Sequence, residues 1–442
     1  MTKLEEIISL AKRRGFVYPT SDIYGGLGGF YDLGPQGVAL ARNIKESWWR
    51  EMVTSRDDVV GLDSSIILNP KTWEASGHVT AFTDPLIECK KCHMRLRADQ
   101  EDEIAVHIAM HKGKGEKDII FTEPRQFNLL FKTFVGPVED SKSIAYLRGE
   151  TCQGIFSNFD NVMESNRVKI PFGIAQIGKA FRNEVTPGKF IFRVREFEQM
   201  ELEYFVEPDK ADEAFSYWKE KRMEWYLSLG IKKEHIRFRQ HAKAERAHYA
   251  GDSWDIEYDF PEWGFKELEG IANRTDYDLK THSKWSGKEL KVTNQETKES
   301  YYPYVIEPSV GVSRLMLALL FEAYAIDGER TVLKLKPSLA PYTAAVFPLL
   351  PNKPELVKKA KDIYHTLKET IATTWDDRGN IGKRYLAQDE IGTPWCVTID
   401  FTTLEDGAVT IRNRDTTKQE RIQINTIEEY IRINQRLCKE DA

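Results

Sequence analysis

Leu4, Ile7, Ile8 and Ala11 recur at helical spacing through MTKLEEIISLAKRRGF, with charges between them, and predict an amphipathic first helix. GGLGGFYDLGPQG, residues 25–37, follows; its glycines and Pro35 impose turns. The next run, VALARNIKESWWREMV, repeats the helical period with Val38, Leu40, Ala41, Ile44, Trp48, Trp49 and Met52. That is more apolar surface than a peripheral helix needs, so a subunit contact competes with simple core packing.

A different period appears in FRNEVTPGKFIFRVREFEQMELEYF, residues 181–205, which reads as two strands joined by a Thr-Pro-Gly-Lys turn. Side chains two apart in a strand share a face, so Arg182 is expected to point with Glu184. Arg193, Arg195, Phe197, Gln199 and Glu201 fall on one face of the returning run by the same parity. The order of cations, aromatic plate and carboxylate suits a ligand with anionic, aromatic and cationic parts; a solvated hairpin face is the plainer alternative.

Residues 88–125 read as an insertion rich in charge and histidine, after which FNLLFKTFVGP resumes an apolar pattern. Polar composition returns at 278–300 as a surface excursion. DGERTVLKLKPSLAP separates the apolar helix VSRLMLALLFEAY from a new alternation and sets a boundary between a 1–337 unit and a 338–442 unit. The second unit reads strand (YTAAVFPLL), helix (PELVKKAKDIYHTLKETI), helix (GKRYLAQDEIG), strand (PWCVTIDF), strand (GAVTIRNR) and terminal helix, a compact α/β module.

Composition narrows this picture. A chain of 442 residues with 41% hydrophobic content exceeds one ordinary core and fills two or three. Five cysteines argue against a disulfide framework and for a reducing, cytoplasmic setting. Neither a leader's apolar region nor a membrane-spanning stretch is expected. The net charge of -6 means that a nucleic-acid partner must be held by local basic patches.

Cys89, Cys92, His107 and His111 have the spacing C-x2-C-x14-H-x3-H, which suits a structural, four-coordinate zinc. His93 is an alternative ligand, and a polar insertion with reduced cysteines fits the same residues.

Together YDLGPQG (31–37), LRGETCQGIFSNF (147–159), the 181–201 run, ELEGIANRTDYDL (267–279) and EPSVGVSR (307–314) resemble, in order, the motifs of class II aminoacyl-tRNA synthetases, most closely the dimeric glycyl type. The resemblance implies an α+β fold: an antiparallel sheet flanked by helices, an insertion, and a C-terminal anticodon-binding α/β domain. It implies an enzyme that activates glycine with ATP and Mg²⁺ and transfers it to tRNA(Gly), acting as a homodimer.

For ATP, it implies contacts from Arg182, Asn183, Glu184, Phe192 and Arg193, with Phe197 stacking on adenine. Leu268 and Gly311 join them, Arg314 clamps the γ-phosphate, and Glu267 holds Mg²⁺. For glycine it implies Arg97, Glu150, Gln199, Glu201, Glu307 and Ser309. Gly149 stands where the family usually has proline, and Cys152 where alanine is common. In the anticodon module the candidates are Arg378, Lys383 and Arg384, with Trp375 as a stacking surface.

Two other functions share these features. A class II enzyme for serine, threonine, proline or histidine would keep the ATP machinery and change the amino-acid pocket. A non-catalytic synthetase-like accessory subunit would keep the fold and bind nucleic acid. Joint retention of Arg182, Phe197, Glu267 and Arg314 argues against the second.

Overall fold

A computed structural model describes residues 1–247, 249–294 and 296–440. The first helix spans Lys3–Arg14. Thr2 and Glu5 form a reciprocal capping box at its start, and Gly15 ends it with φ 75°. The second helix, Pro35–Trp49, begins where Gly37 packs so closely on the Phe16 backbone that no Cβ would fit. Its Leu40, Ala41, Ile44 and Trp48 are buried in the chain's own core. Val38 is exposed on the same helix, and Ile23, Tyr24 and Leu27 are exposed just before it.

Seven strands form the main sheet, in the order Ile236–Gln240, Asp252–Phe260, Gly264–Thr275, Tyr304–Gly311, Glu196–Val206, Phe172–Phe181 and Val59–Gly61. All neighbours are antiparallel except the last pair. Alternation along Glu196–Val206 divides labour between the faces. Met200, Leu202, Tyr204 and Val206 enter the large core beneath the Pro35–Trp49, Ala211–Ser228 and Val312–Ala323 helices. Phe197, Gln199, Glu201, Glu203 and Phe205 take the other face, where Phe205 joins a smaller cluster under helices Cys152–Ser157 and Phe159–Asn166. A row of polar side chains thus lies on an otherwise apolar sheet.

The hairpin differs from its sequence reading. The strands end at Phe181 and resume at Glu196, and residues 182–195 form a long connection with one 3-10 turn at Phe190–Phe192. Arg182, Glu184, Arg193 and Arg195 therefore lie outside the strands, where parity does not govern direction. Arg195 gives its N–H groups to the carbonyls of Glu184 and Gly28, and so does not share the Phe197 face.

The 88–125 segment carries strand Arg95–Arg97 and helix Glu101–Gly113, tied to Thr83–Glu88 and Arg125–Asn128 in a three-stranded sheet. The 278–300 segment is only partly a surface excursion. Its first half is helix Tyr277–Ser286, whose Asp278, Leu279 and His282 are buried.

The C-terminal sheet runs Thr373–Trp375, Ala344–Pro348, Trp395–Ile399, Ala408–Asn413, Gln419–Gln423. The two edge strands and the short helix Phe401–Asp406 were not anticipated. Asp389, fully buried, accepts both arms of Arg412 at 2.8 and 2.9 Å and one from Arg330 at 3.0 Å, joining the module to the preceding unit. Glu390 adds ion pairs to Arg13 and Arg14 of the first helix. Arg384 is buried and spent on the carbonyls of Pro348 and Leu349, which removes it as an RNA-facing cation. Arg378 and Lys383 are exposed; Trp375 packs on Tyr364.

Candidate functional site

Two compartments lie end to end on the polar face of the sheet. The outer one is a cleft lined by Arg182, Glu184, Phe192, Arg193, Phe197, Gln199, Glu267, Leu268, Ser309, Gly311 and Arg314, together with Val194 and Ser313. Of the ATP-directed residues, only Asn183 does not line it; its backbone N–H is held by the Leu129 carbonyl.

Arg182 donates Nε–H to the Gly149 carbonyl at 3.1 Å, and its guanidinium lies 5.5 Å from the ring centres of both Phe197 and Phe82. The glycine in place of proline at 149 leaves that carbonyl anchor intact. Arg314 sits in the first turn of helix Val312–Ala323. It donates to the Glu267 carbonyl at 3.0 Å, lies 3.2 Å from its carboxylate, and stacks on Phe192 at 4.7 Å. Arg182 is thus aimed by one backbone oxygen and Arg314 by two, the second being the Phe192 carbonyl at 3.4 Å; each lies beside an aromatic plate, with further N–H groups left for a ligand. Arg193 crosses to Glu103 of the insertion at 3.7 Å.

Glu267 is exposed to the cleft, and Arg314 holds its carboxyl below the usual range. A β-bulge explains why Glu269 points elsewhere. Glu269 pairs with Ile256 but Glu267 pairs with Glu257, so residue 268 is the extra one and the side-chain alternation flips. Glu269 is buried on the opposite side, gripped by Arg222 at 2.6 and 2.9 Å and by the Tyr226 hydroxyl. Glu267 alone then faces the cleft from this stretch, a single carboxylate of the kind that shares Mg²⁺ with phosphate and water.

The inner compartment is a buried acidic cluster. Strand register sets Glu201 beside Ser309, and Gln199 donates to both, at 2.9 and 2.7 Å. The other Glu201 oxygen accepts the Thr151 N–H at 3.0 Å and its hydroxyl. Glu307 meets Arg274 at 2.8 Å, and Arg274 closes a two-armed pair with Asp278 at 2.7 and 2.8 Å. Glu150 faces His78 at 3.2 Å and accepts from Gln153 and the Cys152 thiol.

Burial alone would raise the Glu150 carboxyl, but the facing His78 and Arg274 hold it well below the usual range. Burial and neighbouring carboxylates push Glu201 well up, and burial raises Glu307 against the pull of Arg274. Arg97 is paired with Asp84 at 2.9 Å and Asp99 at 2.7 Å and does not line the cleft. Sequence reading missed Arg274, Asp278, His78 and Glu203. The quoted stretch ELEGIANRTDYDL already held an Arg four residues before an Asp, a spacing that signals a local ion pair.

Cys89, Cys92, His107 and His111 offer ligand atoms within 4.8 Å of one another. Sγ of Cys92 is 3.6 Å from Nε2 of His107, Sγ of Cys89 is 3.7 Å from Nε2 of His111, and the two Nε2 atoms are 3.1 Å apart. A tetrahedron with Zn–S of about 2.3 Å and Zn–N of about 2.0 Å has S···N edges of about 3.5 Å and an N···N edge of about 3.3 Å. The four residues fit that ion. The His111 Nδ1 contact to Glu116 at 2.6 Å is the outer partner a ligating imidazole uses. His93 pairs with Glu88 instead.

Residues 134–323 match a family described as tRNA synthetase class II core domain (G, H, P, S and T), and residues 343–434 one described as Anticodon binding domain. Among curated proteins, a Glycine--tRNA ligase of Thermobifida fusca (strain YX) is 53% identical over 453 residues, covering 97% of each chain. Counterparts so named from Streptomyces coelicolor and Alkaliphilus oremlandii are 52% and 50% identical, covering 97% of this chain and 98% and 97% of theirs.

Proposed function

The chain belongs to the class II aminoacyl-tRNA synthetases of the glycine--tRNA ligase family, and from that premise we propose that it joins glycine to ATP and passes the glycyl group to the 3′ end of tRNA(Gly). The observation that carries this reading is the adjacency of the two regions: a cationic, aromatic cleft beside a buried carboxylate cluster, linked by Gln199, which lines the cleft and donates to Glu201.

Glycine's carboxylate attacks the α-phosphorus in line, a P–O bond forms, and pyrophosphate leaves. Arg182 neutralises the oxygens where charge builds, Phe197 stacks on adenine, and Arg314 takes the γ-phosphate; Glu267 would hold Mg²⁺, which when bound would supply charge neutralisation on the leaving group. No protein nucleophile is needed, so placement and charge stabilisation carry the rate. Glu150, Glu201, Glu307 and Ser309 receive the ammonium. The absence of space beyond its Cα then selects glycine.

The catalytic unit is residues 1–337 and the anticodon-binding unit 338–442, with Arg378 and Lys383 offered to RNA. Zinc at Cys89, Cys92, His107 and His111 staples the insertion. The exposed Ile23, Tyr24, Leu27 and Val38 supply a homodimer surface. Among the described residues no helix is long and apolar enough to cross a membrane. As a translation enzyme it works in the cytoplasm, where tRNA and the other translation components are.

Charging of tRNA(Gly) with radiolabelled glycine tests the whole reading; no charging by folded protein with Mg²⁺ and ATP refutes it. Zinc should copurify at about one ion per chain and be lost in Cys89→Ser. Metal-free protein prepared without chelator contradicts the staple.

A further inference from the structure

Glu203 has no part in the account above. It is fully buried, and neither carboxylate oxygen has a hydrogen-bond partner among the described residues. The register that pairs Glu201 with Ser309 and Tyr204 with Ile306 sets Glu203 across from Glu307. Oxygens of Glu201, Glu203 and Glu307 and the Cys152 sulfur lie within 4.8 Å of one another.

The surroundings do not balance this charge. Glu201 shares the strand, Glu307 faces it, and Glu150 and Cys152 come from the segment leading into the Cys152–Ser157 helix. Strand Gly264–Thr275 contributes Arg274, helix Tyr277–Ser286 contributes Asp278 and His282, and His78 and Tyr249 complete the ring. Arg274 is committed to Asp278 and Glu307, His78 to Glu150, and His282 to Gln153. Carboxyls this close and this buried cannot all ionise together. Burial first, then Glu307, raises the Glu203 carboxyl well above its usual range, as burial and Glu307 raise Glu201.

We propose that Glu203 is a positioning residue for the amino-acid substrate: acting through Glu201 and Glu307, it keeps a proton on the carboxylate cluster of the empty enzyme, and the arriving ammonium displaces that proton to solvent. No covalent bond changes. One positive charge enters as ammonium and one leaves as a proton, and the proton belongs to the cluster rather than to one residue. The inference rests on the inner pocket being the amino-acid site. Its consequence is that apparent glycine affinity rises with pH, by up to about tenfold per pH unit, until the empty cluster is already deprotonated.

Calorimetric titration of the full-length enzyme with glycine at pH 7, in phosphate and again in Tris, counts the protons. These buffers differ widely in ionisation heat, so proton release appears as a difference between the two binding heats. The expected result is release of a substantial fraction of a proton per glycine bound. In Glu203→Gln, with folding checked by thermal melting, release falls to less than half and the pH dependence of the glycine KM between pH 6 and 8 flattens. Equal heats in the two buffers for the unaltered enzyme overturn the proposal without any variant, as does undiminished release in folded Glu203→Gln. If glycine does not bind at all, the amino-acid assignment itself falls, a result distinct from binding without proton release.

Discussion

The outer cleft and the inner pocket share two strands yet are built in opposite ways. The outer cleft takes its cations from a loop and a helix start, where Arg182 and Arg314 are each steered by backbone carbonyls and an aromatic ring. The inner pocket takes its carboxylates mainly from strand faces and buries them around Arg274, which is spent on protein partners. The difference separates two kinds of cost. A cleft-facing cation with N–H groups to spare is available to a ligand, while a buried guanidinium closing an ion-pair ring serves the fold as well.

Arg274→Ala is the strongest way to break that distinction. It strands Asp278 and Glu307 in a dry site, and the expected loss is about 3–5 kcal/mol of unfolding free energy. Chemical denaturation measures it, and a loss below about 1 kcal/mol would mean that the inner ring is not structural. Arg182→Ala and Arg314→Ala should behave in the contrary way. Each removes a charge-assisted contact of about 1.5–3 kcal/mol, so pyrophosphate exchange should slow by at least about tenfold. Denaturation midpoints should move little, since both groups face the cleft.

A subtler effect comes from pH. The Glu203 carboxyl is raised by burial and by Glu307, so the folded protein holds that proton more tightly than the unfolded chain. The stability it contributes is complete at low pH and is lost as pH rises from about 4.3, the ordinary glutamate value, through the raised one. Glu203→Gln removes this dependence. Relative to the unaltered protein it should gain stability at pH 8 and little at pH 4; a gain of equal size at both would assign the effect to packing.

How much of this the sequence disclosed follows the same division. The major helices, the two-part organisation and the cluster of Cys89, Cys92, His107 and His111 were legible because period and spacing are local. Most residues that line the outer cleft were also singled out, although the parity argument behind Arg193 and Arg195 failed once residues 182–195 proved to be a loop. The inner ring was less legible, because Arg274, Asp278 and His78 meet Glu307 and Glu150 only through sheet register and a helix docked against it. Glu203 gave no signal, since an acidic residue at strand period looks solvated until burial is known. Arg384 misled for the same reason: a basic turn reads as exposed, and this one pins the Pro348 and Leu349 carbonyls at the end of strand Ala344–Pro348.

The most direct test of the two-compartment account is amino-acid-dependent ATP–pyrophosphate exchange, run with glycine and again with alanine and serine. The account predicts rapid exchange with glycine, with alanine and serine lower by at least about tenfold, because accommodating a methyl or hydroxymethyl in a site fitted to glycine costs about 1–3 kcal/mol or more. Equal exchange with all three, or exchange driven by serine or alanine and not glycine, would contradict it.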